Sequence, residues 1–494
     1  RLHPILKKAL FHSNFTKPTP VQSASLPFAL PTSPSDPTSG SRDVVALAQT
    51  GSGKTLAYAL PILQRVLDAR SSLFEGDKER PLQALVVLPT RELAMQVYEV
   101  FQKLVMASIT SEDGESAKQT PWVRIAPVLG GMSEERQWRL LRGRKGTESQ
   151  QGDGSKDAEI VIATVGRLWE LCKSDDYLPD RLENAQTLVL DEADRLLETG
   201  KFQELSSILD LLRSPNRQTL MFSATLDPSL QVNLSKSRSK VNRALKKSKE
   251  GDKMIKLIER VGFTDPEGAQ VIDLTKQALV SESLKEGKIE CVEKEKDLYL
   301  YYLLLRYTGS TLVFMNSIDS VRRLHPLLTN LGISSYPLHG EMDQRSRLRS
   351  LDNFKKAINS KKTATSSSVL LATDVAARGL DIPLVSHVVH FHLPRAADTY
   401  IHRSGRTARA GQPGLSLVLL GASEKTRWAS LRKSLKREND LQDLEVMYGI
   451  MTRLKRRLAL AKELDELRHR ERKEKADEDW VRKIAEEADI ALDE

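Results

Sequence analysis

Short apolar runs of four to six residues recur along this chain, each bounded by polar or glycine- and proline-containing segments. Val44–Leu47, Ala84–Leu88, Ile125–Leu129, Glu159–Ala163, Thr187–Leu190 and Gln218–Phe222 form a first series. Their length and near-continuous hydrophobicity predict strands buried on both faces, and stretches of helical spacing separate them. Such alternation predicts a parallel sheet built from strand–helix–strand units. A second series repeats the pattern in Thr311–Met315, Ser335–Leu338, Val369–Ala372, His387–Phe391 and Leu415–Leu420. From about residue 426 the periodicity becomes helical, with Leu444, Met447, Met451, Leu454, Leu458, Ala461 and Leu464 in one apolar stripe. That helix either packs on the second domain or serves as a docking arm for protein or RNA.

The expected fold class is α/β, with two tandem parallel-sheet domains and a helical C-terminal extension. A chain of 494 residues is too long for one core. We place the first domain at 1–228, a basic insertion or linker without a clear strand at 229–270, the second domain at 271–425 and a charged helical extension at 426–494. The polar, Gly/Ser-rich stretches 108–121 and 142–157 read as surface insertions. A net charge of +9 matters mainly through its placement. Residues 231–260 hold ten Lys/Arg against three Asp/Glu, a local +7 that suits a polyanionic partner. The two cysteines, Cys172 and Cys291, are too far apart in sequence for a metal knuckle and do not make a disulfide framework. No run of about 18 apolar residues is present, so no membrane span is expected. The chain begins at Arg1 rather than Met, and we expect a further N-terminal segment.

Chemistry enters at the strand ends. The strand Val44–Leu47 leads into Ala48-Gln49-Thr50-Gly51-Ser52-Gly53-Lys54-Thr55 and then an apolar helix, the order a phosphate cradle needs. Backbone N–H groups of that loop would wrap phosphates, Lys54 would reach the β- and γ-phosphates, and the Thr55 hydroxyl would ligate Mg²⁺. Thr187–Leu190 runs directly into Asp191-Glu192-Ala193-Asp194. Open α/β sheets bind ligands at the carboxyl ends of their strands, and Mg²⁺ takes one or two carboxylates plus substrate phosphates. Upstream, two prolines stiffen the turn Asn14-Phe15-Thr16-Lys17-Pro18-Thr19-Pro20-Val21-Gln22. A glutamine held there offers a donor and an acceptor that match the N6 and N7 edge of adenine. The second series has no phosphate loop, which suggests a nucleotide site completed across a cleft.

In this order the motifs resemble the DEAD-box ATP-dependent RNA helicases, over residues 14–411, about four-fifths of the chain. The resemblance implies two RecA-like domains with a cleft between them, ATP and Mg²⁺ as ligands, and RNA as partner. The stretch 14–22 is similar to the adenine-reading motif, with Phe15, Lys17 and Gln22 at its contact positions and Asn14 where the family usually has Gly. The resemblance places Asp191 on Mg²⁺, has Glu192 activate the attacking water, and has Asp194, His402 and Arg403 join Ser223-Ala224-Thr225 in coupling hydrolysis to strand separation. It assigns Pro89, Thr90 and Arg91, Gly130 and Gly131, and Thr164, Gly166 and Arg167 to the RNA backbone. Here Ala163 and Val165 replace two family prolines, and we expect a slightly different loop with the same role for Arg167. In the second domain Asn316, Ser317, Gln344, Arg347, Thr373 and Asp374 fall at RNA-contact positions, and Asp381 at a nucleotide position. Arg406 and Arg409 are implied to be arginine fingers, in a motif with Ala408 where Gly is common.

The run from Asp191 to Leu205, with Arg195 and Gly200-Lys201-Phe202-Gln203-Glu204-Leu205, resembles a nucleolar branch that acts in large ribosomal subunit assembly. The basic insertion and charged C-terminal helix are similar to that branch too. This implies action on pre-ribosomal RNA in the nucleolus, with particle proteins docking through 229–270 and 426–494, and a monomer outside the particle. Messenger-RNA metabolism or splicing, and an ATP-gated RNA clamp or scaffold with little need for turnover, remain the alternatives.

Overall fold

The computed structural model describes residues 2–31, 42–48, 52–72, 81–109, 121–143, 157–198, 200–223, 261, 263, 269–274, 284–360, 367–374, 382–408, 413–435, 437 and 439–487. The chain divides near residue 280 into two compact units. Each is built on a seven-stranded sheet in which every described pairing is parallel.

In the first unit the strands are β1 (Val44–Leu47), β2 (Ala84–Leu88), β3 (Ile125–Val128), β4 (Ile160–Thr164), β5 (Thr187–Asp191), β6 (Gln218–Ser223) and β7 (Gln270–Asp273). Their order across the sheet is β3-β4-β2-β5-β6-β1-β7. Residues of β1 to β6 are buried throughout, because helices cover both faces. Alternate side chains fall into two apolar clusters, one with Val45, Leu85 and Val87, the other with Val44, Ala84 and Val86. Polar strand residues are satisfied in place: the Gln218 side chain accepts from Arg65 at 2.9 Å and donates to the Arg42 carbonyl at 2.7 Å.

The second unit comprises β8 (Leu284–Glu290), β9 (Ser310–Met315), β10 (Ser334–Leu338), β11 (Ser368–Thr373), β12 (His387–His390), β13 (Gly414–Leu420) and β14 (Gln442–Asp443), ordered β10-β11-β9-β12-β13-β8-β14. The α/β class with two parallel sheets is therefore as expected, and so is the position of each strand read from apolar runs.

Two boundaries are corrected. β7 pairs with β1, with Val44 opposite Gln270 and Leu47 opposite Asp273, so residues 270–273 close the first sheet and do not open the second domain at 271. Val261 and Phe263 also lie in the first unit's core, while the rest of the insertion between 229 and 260 falls outside the described residues. The expected extension from 426 is, over its first half, part of the second unit. Trp428 and Leu431 pack with Tyr400, and Leu441 precedes β14. The long helix Tyr448–Glu487 buries Met451, Leu454, Leu458 and Ala461 in the core formed with Leu300, Leu324 and Leu328. Of the two readings left open for this stripe, packing on the second domain holds for Leu444 and from Met451 through Ala461, whereas Met447 precedes the helix and is exposed. Beyond Ala461, Leu464 and Leu467 are exposed, while Lys462 and Arg468 still reach Asp297 and Asn330.

β8 escaped the apolar pattern because it reads Leu-Lys-Glu-Gly-Lys-Ile-Glu. Its central Lys288 is buried, yet bonded to Glu290 at 2.8 Å and Asp440 at 3.0 Å. No helix of the described residues is long and apolar enough to cross a membrane. Truncating Leu454 to Ala is expected to lower the unfolding free energy of the second unit by about 2–5 kcal/mol in chemical denaturation. The same change at exposed Leu460 should stay within about 0.5 kcal/mol.

Candidate nucleotide and RNA sites

The sheet order sorts the motif residues of the first unit into two groups. Strands β5, β6 and β1 are contiguous and end in Asp191-Glu192, Ser223 and the phosphate loop. Strands β3, β4 and β2 are contiguous on the other side and end in Gly130-Gly131, Thr164 to Arg167 and Pro89-Thr90-Arg91. Two sets scattered in sequence thus become two neighbouring patches on one edge of one sheet.

In the first patch, Lys54 opens the helix Lys54–Ser72 and is buried. Its Nζ donates to the Ala48 carbonyl at 3.1 Å and lies 4.0 Å from Asp191 Oδ1. The hydroxyl of Tyr58, one turn further on, donates to Asp191 Oδ2 at 3.0 Å and sits beside the Thr55 side chain. Thr55 and Asp191 are therefore brought to one place. A hydroxyl on the first turn of the helix after the phosphate loop and a carboxylate at a strand end form a donor set that fits Mg²⁺. Among the described residues no group of three or more His, Cys, Asp or Glu is placed to hold a metal ion. Tyr58 titrates well above its ordinary range because burial and the adjacent Asp191 both disfavour the phenolate.

Glu192 holds a left-handed backbone, φ +51°, a conformation uncommon outside glycine and one that marks strained functional positions. Its N–H donates to Asp191 Oδ1 at 2.9 Å. Its carboxylate accepts at 2.8 Å from Arg195, which lies on the first turn of the helix Ala193–Glu198 that follows. Burial raises the Glu192 carboxyl above the usual range, Arg195 pulls it back and Asp191 pushes it up again. Neither Tyr58 nor Arg195 was singled out as a site residue from sequence. The three-residue step from Glu192 to Arg195 was the available signal.

Gln22 is buried and ties the proline turn to the loop. Its Oε1 accepts from Thr19 N at 3.0 Å and its Nε2 donates to Gly53 O at 3.0 Å. An amide side chain has two donor hydrogens and two acceptor lone pairs, so one of each remains. Gly53, at φ +94°, has no room for a Cβ, which would lie 2.6 Å from Gln22 Nε2. Phe15 and Lys17 are exposed on the same turn. Ser52 is described, whereas Gln49, Thr50 and Gly51 lie outside the described residues, as do Ala224 and Thr225. Ser223 is tied to the loop's start, because its carbonyl accepts from Ala48 N at 3.0 Å.

In the second patch, the guanidinium of Arg91 lies over Gly130 and Gly131, where a Cβ would come within 2.6 and 2.8 Å of it. Thr90 Oγ1 accepts from Leu93 N at 3.3 Å, capping the helix Arg91–Ile109. At the two positions where family prolines are replaced, Ala163 pairs within β4 and Val165 is the first residue of the helix Val165–Ser174. The strand runs directly into the helix. Arg167 is held by Glu170 at 3.0 Å and Gln137 at 3.4 Å.

In the second unit Arg403 is the organising residue. It is 1% exposed, forks onto both oxygens of Asp374 at 2.6 Å, and donates to Asn316 Oδ1 at 2.9 Å and to the His392 carbonyl at 2.7 Å. Its guanidinium also faces the Phe314 ring at 5.1 Å. One buried cation thus binds together residues from the ends of β9, β11 and β12. Thr373 ends β11, Ser317 caps the helix Ile318–Asn330, and Gln344 and Arg347 sit on the first turn of the helix Gln344–Asn359. His402 and Arg406 are half-buried. Asp381 and Arg409 lie outside the described residues.

A phosphate-loop α/β protein with tandem parallel sheets is the class these features define. The comparisons agree. The DEAD/DEAH box helicase family matches residues 19–232, and the helicase conserved C-terminal domain matches residues 293–411. The chain is 38% identical to the ATP-dependent RNA helicase mak5 of Schizosaccharomyces pombe over 99% of this chain and 67% of that protein. It is also 38% identical to the ATP-dependent RNA helicase MAK5 of Lodderomyces elongisporus, over 99% of this chain and 57% of that one. The chain thus spans roughly three-fifths of the length of such relatives. Among solved structures, S. cerevisiae Dbp5 bound to RNA and ADP BeF3 is similar in fold, with a TM-score of 0.62 at 24% identity, covering 92% of this chain and 98% of that chain. The chain belongs to the DEAD-box helicase family.

Five histidines of the second unit, His325, His339, His387, His390 and His392, titrate below their ordinary value because burial disfavours the imidazolium. His390 is lowered furthest; it is fully buried and bonded to Ser404 and Ser416 at 3.1 and 3.2 Å. Near pH 6.5 the unfolded chain takes up protons that the folded chain refuses, so stability is full above that pH and falls below it. The thermal midpoint should drop between pH 7.5 and 5.5, and less steeply in His390→Gln.

Proposed function

We propose that this chain is an ATP-dependent RNA helicase that couples hydrolysis to remodelling of RNA duplexes or RNA–protein contacts, in large ribosomal subunit assembly. The observation that carries this reading is the cluster of Lys54, Asp191, Glu192 and Thr55 at adjacent strand ends, with the Arg91 and Gly166 patch beside it on the same sheet edge.

The transferring phosphoryl group is mostly charge, so its transfer needs positioning and neutralisation more than covalent chemistry. Lys54 supplies one positive charge to the phosphates. Mg²⁺, held by Asp191 and Thr55, would supply more charge there. Glu192 orients the attacking water and accepts its proton, and the Arg195 contact fixes that carboxylate. Phe15, Lys17 and the remaining donor and acceptor of Gln22 take the adenine side, with Gln49 to Gly53 around the phosphates and Asp381 as a further nucleotide contact. Arg406 and Arg409 add charge to the transition state, an effect worth about 10³–10⁵ in rate for an arginine finger.

RNA is held by its backbone, through Pro89, Thr90, Arg91, Gly130, Gly131, Thr164, Gly166 and Arg167 in the first unit. Asn316, Ser317, Gln344, Arg347, Thr373 and Asp374 serve in the second. Such contacts make affinity salt-sensitive and nearly independent of sequence. Ser223-Ala224-Thr225, Asp194, His402 and Arg403 link the two activities. ATP and RNA then strengthen each other's binding by one reciprocal coupling.

The likeness of the Asp191–Leu205 run to the nucleolar assembly branch supports pre-ribosomal RNA as substrate and the nucleolus as the place of action. The long helix beyond Ala461 supports a second reading, an RNA clamp or scaffold docked on a particle.

Steady-state ATP hydrolysis should rise strongly on adding single-stranded RNA, and Glu192→Gln and Arg406→Ala should each abolish the rise. Equal rates with and without RNA would sink the helicase reading. Normal particle assembly in cells carrying Glu192→Gln would select the clamp. Charge reversal within 235–248 is expected to weaken RNA or particle affinity at moderate salt without changing basal hydrolysis, checked by titration and by ATPase assay.

A further inference from the structure

We propose that Lys201 is a further RNA-binding residue, whose ammonium holds one backbone phosphate beside Gly166. This rests on the reading that the first unit binds RNA.

The chain is shaped to deliver this side chain. Gly200 has φ +73°, and a Cβ there would meet nothing within 4 Å, so glycine serves the left-handed turn rather than close packing. That turn makes Lys201 the residue capping the helix Phe202–Leu211, and its side chain runs back over the first turn of the helix Val165–Ser174. At Gly166 a Cβ would fall 2.0 Å from Lys201 Nζ, 3.2 Å from Cε and 3.5 Å from Cδ. The ammonium thus lies in the space that the missing side chain leaves, and a larger residue at 166 would displace it. The same construction appears on neighbouring strand ends, where Arg91 covers Gly130 and Gly131.

Charge argues for an anion here. Among the described residues, the nearest carboxylate to Lys201 Nζ is Glu204 at 4.0 Å, too far for a hydrogen bond. The other cation at this spot, Arg167, is 15% exposed and hydrogen-bonded to Glu170 and Gln137, with Glu134 more distant at 3.9 Å. Lys201 is 49% exposed, so the outward-facing donors belong to it. A lysine ammonium is a compact point charge with three donors, suited to a phosphate oxygen. Thr164, Gly166 and Arg167, the residues flanking it, are those that the family resemblance places on RNA backbone. A phosphodiester beside Gly166 would give the ammonium the hydrogen-bonding anion that Glu204, at 4.0 Å, does not provide.

The test measures the affinity of the full chain for a fluorescent single-stranded RNA, with a non-hydrolysable ATP analogue, across about 50 to 300 mM salt. Lys201→Ala is expected to weaken binding several-fold and to reduce the slope of log affinity against log salt by about 0.7, the loss of one phosphate contact on a single strand. Lys201→Arg should keep the slope. Basal ATP hydrolysis and the thermal midpoint should match the parent in both. Gly200→Ala, which misdirects the side chain without removing it, should lower affinity in the same direction. Parental affinity and slope in Lys201→Ala would overturn the assignment. So would weaker binding with an unchanged slope and a lowered midpoint, the mark of a structural role. A parent chain that binds no RNA would instead overturn the RNA reading, and this residue's role with it.

Discussion

Parallel strand pairing is the constraint on which the rest of this structure depends. Because neighbouring strands run the same way, every carboxyl end in a sheet opens on one edge, and every loop that leaves such an end starts there. Polar residues can then be added to those loops without disturbing the core, since the strands themselves are buried on both faces. β5 shows the economy of this plan. It lies between β2 and β6, carries Asp191 at its last position, and so places one carboxylate at the seam between the phosphate-loop strands and the strands that end in the candidate RNA patch. In the second sheet the same arrangement collects Asn316, Asp374 and the His392 carbonyl around one buried arginine.

Departures from the family pattern fall where backbone geometry is tightest. Asn14 and Ala408 stand where the family usually has glycine, and both adopt positive φ, +58° and +56°. Glycine enters that region freely, asparagine tolerates it, and other residues pay roughly 1–2 kcal/mol. Ala408 is held there by its surroundings: it is buried, and a Cβ at Gly414 would lie only 2.5 Å from its backbone nitrogen. The lost prolines at 163 and 165 are a milder change. Proline suits the first position of a helix but is not required there, and Val165 opens the helix that carries Arg167.

Buried charge in the second unit is confined by complete pairing. Lys288 and Arg403 are each surrounded by carboxylates or carbonyls at hydrogen-bonding distance. Removing one partner from such a group leaves an uncompensated charge, which costs far more than the pair contributes. These networks therefore fix loop positions more than they add stability. Arg403 accordingly holds two candidate RNA-contact residues in register while being hidden from the RNA itself.

Sequence by itself determined the class of fold, the apolar strands of both sheets, the phosphate loop and the identity of the acidic strand end. Those features are written in local patterns: continuous apolar runs, glycine spacing, clustered carboxylates. It missed β7, β8 and β14, because a strand with only two apolar residues between Gln270 and Asp273, a strand hiding a paired lysine and a two-residue strand carry too little apolar signal of their own. It set the domain boundary too early, since only the pairing of Gln270–Asp273 with β1 assigns those residues to the first sheet. Strand order also lay beyond it. Nothing in the linear chain says that β5 inserts between β2 and β6, and that insertion is what gathers the nucleotide motifs on one side and the RNA motifs on the other. Tertiary structure likewise decided which side chains meet: Tyr58 with Asp191 across 133 positions, Gln22 with Gly53, Lys201 with Gly166. Contacts of that kind depend on the packing of whole elements, and no local pattern encodes them.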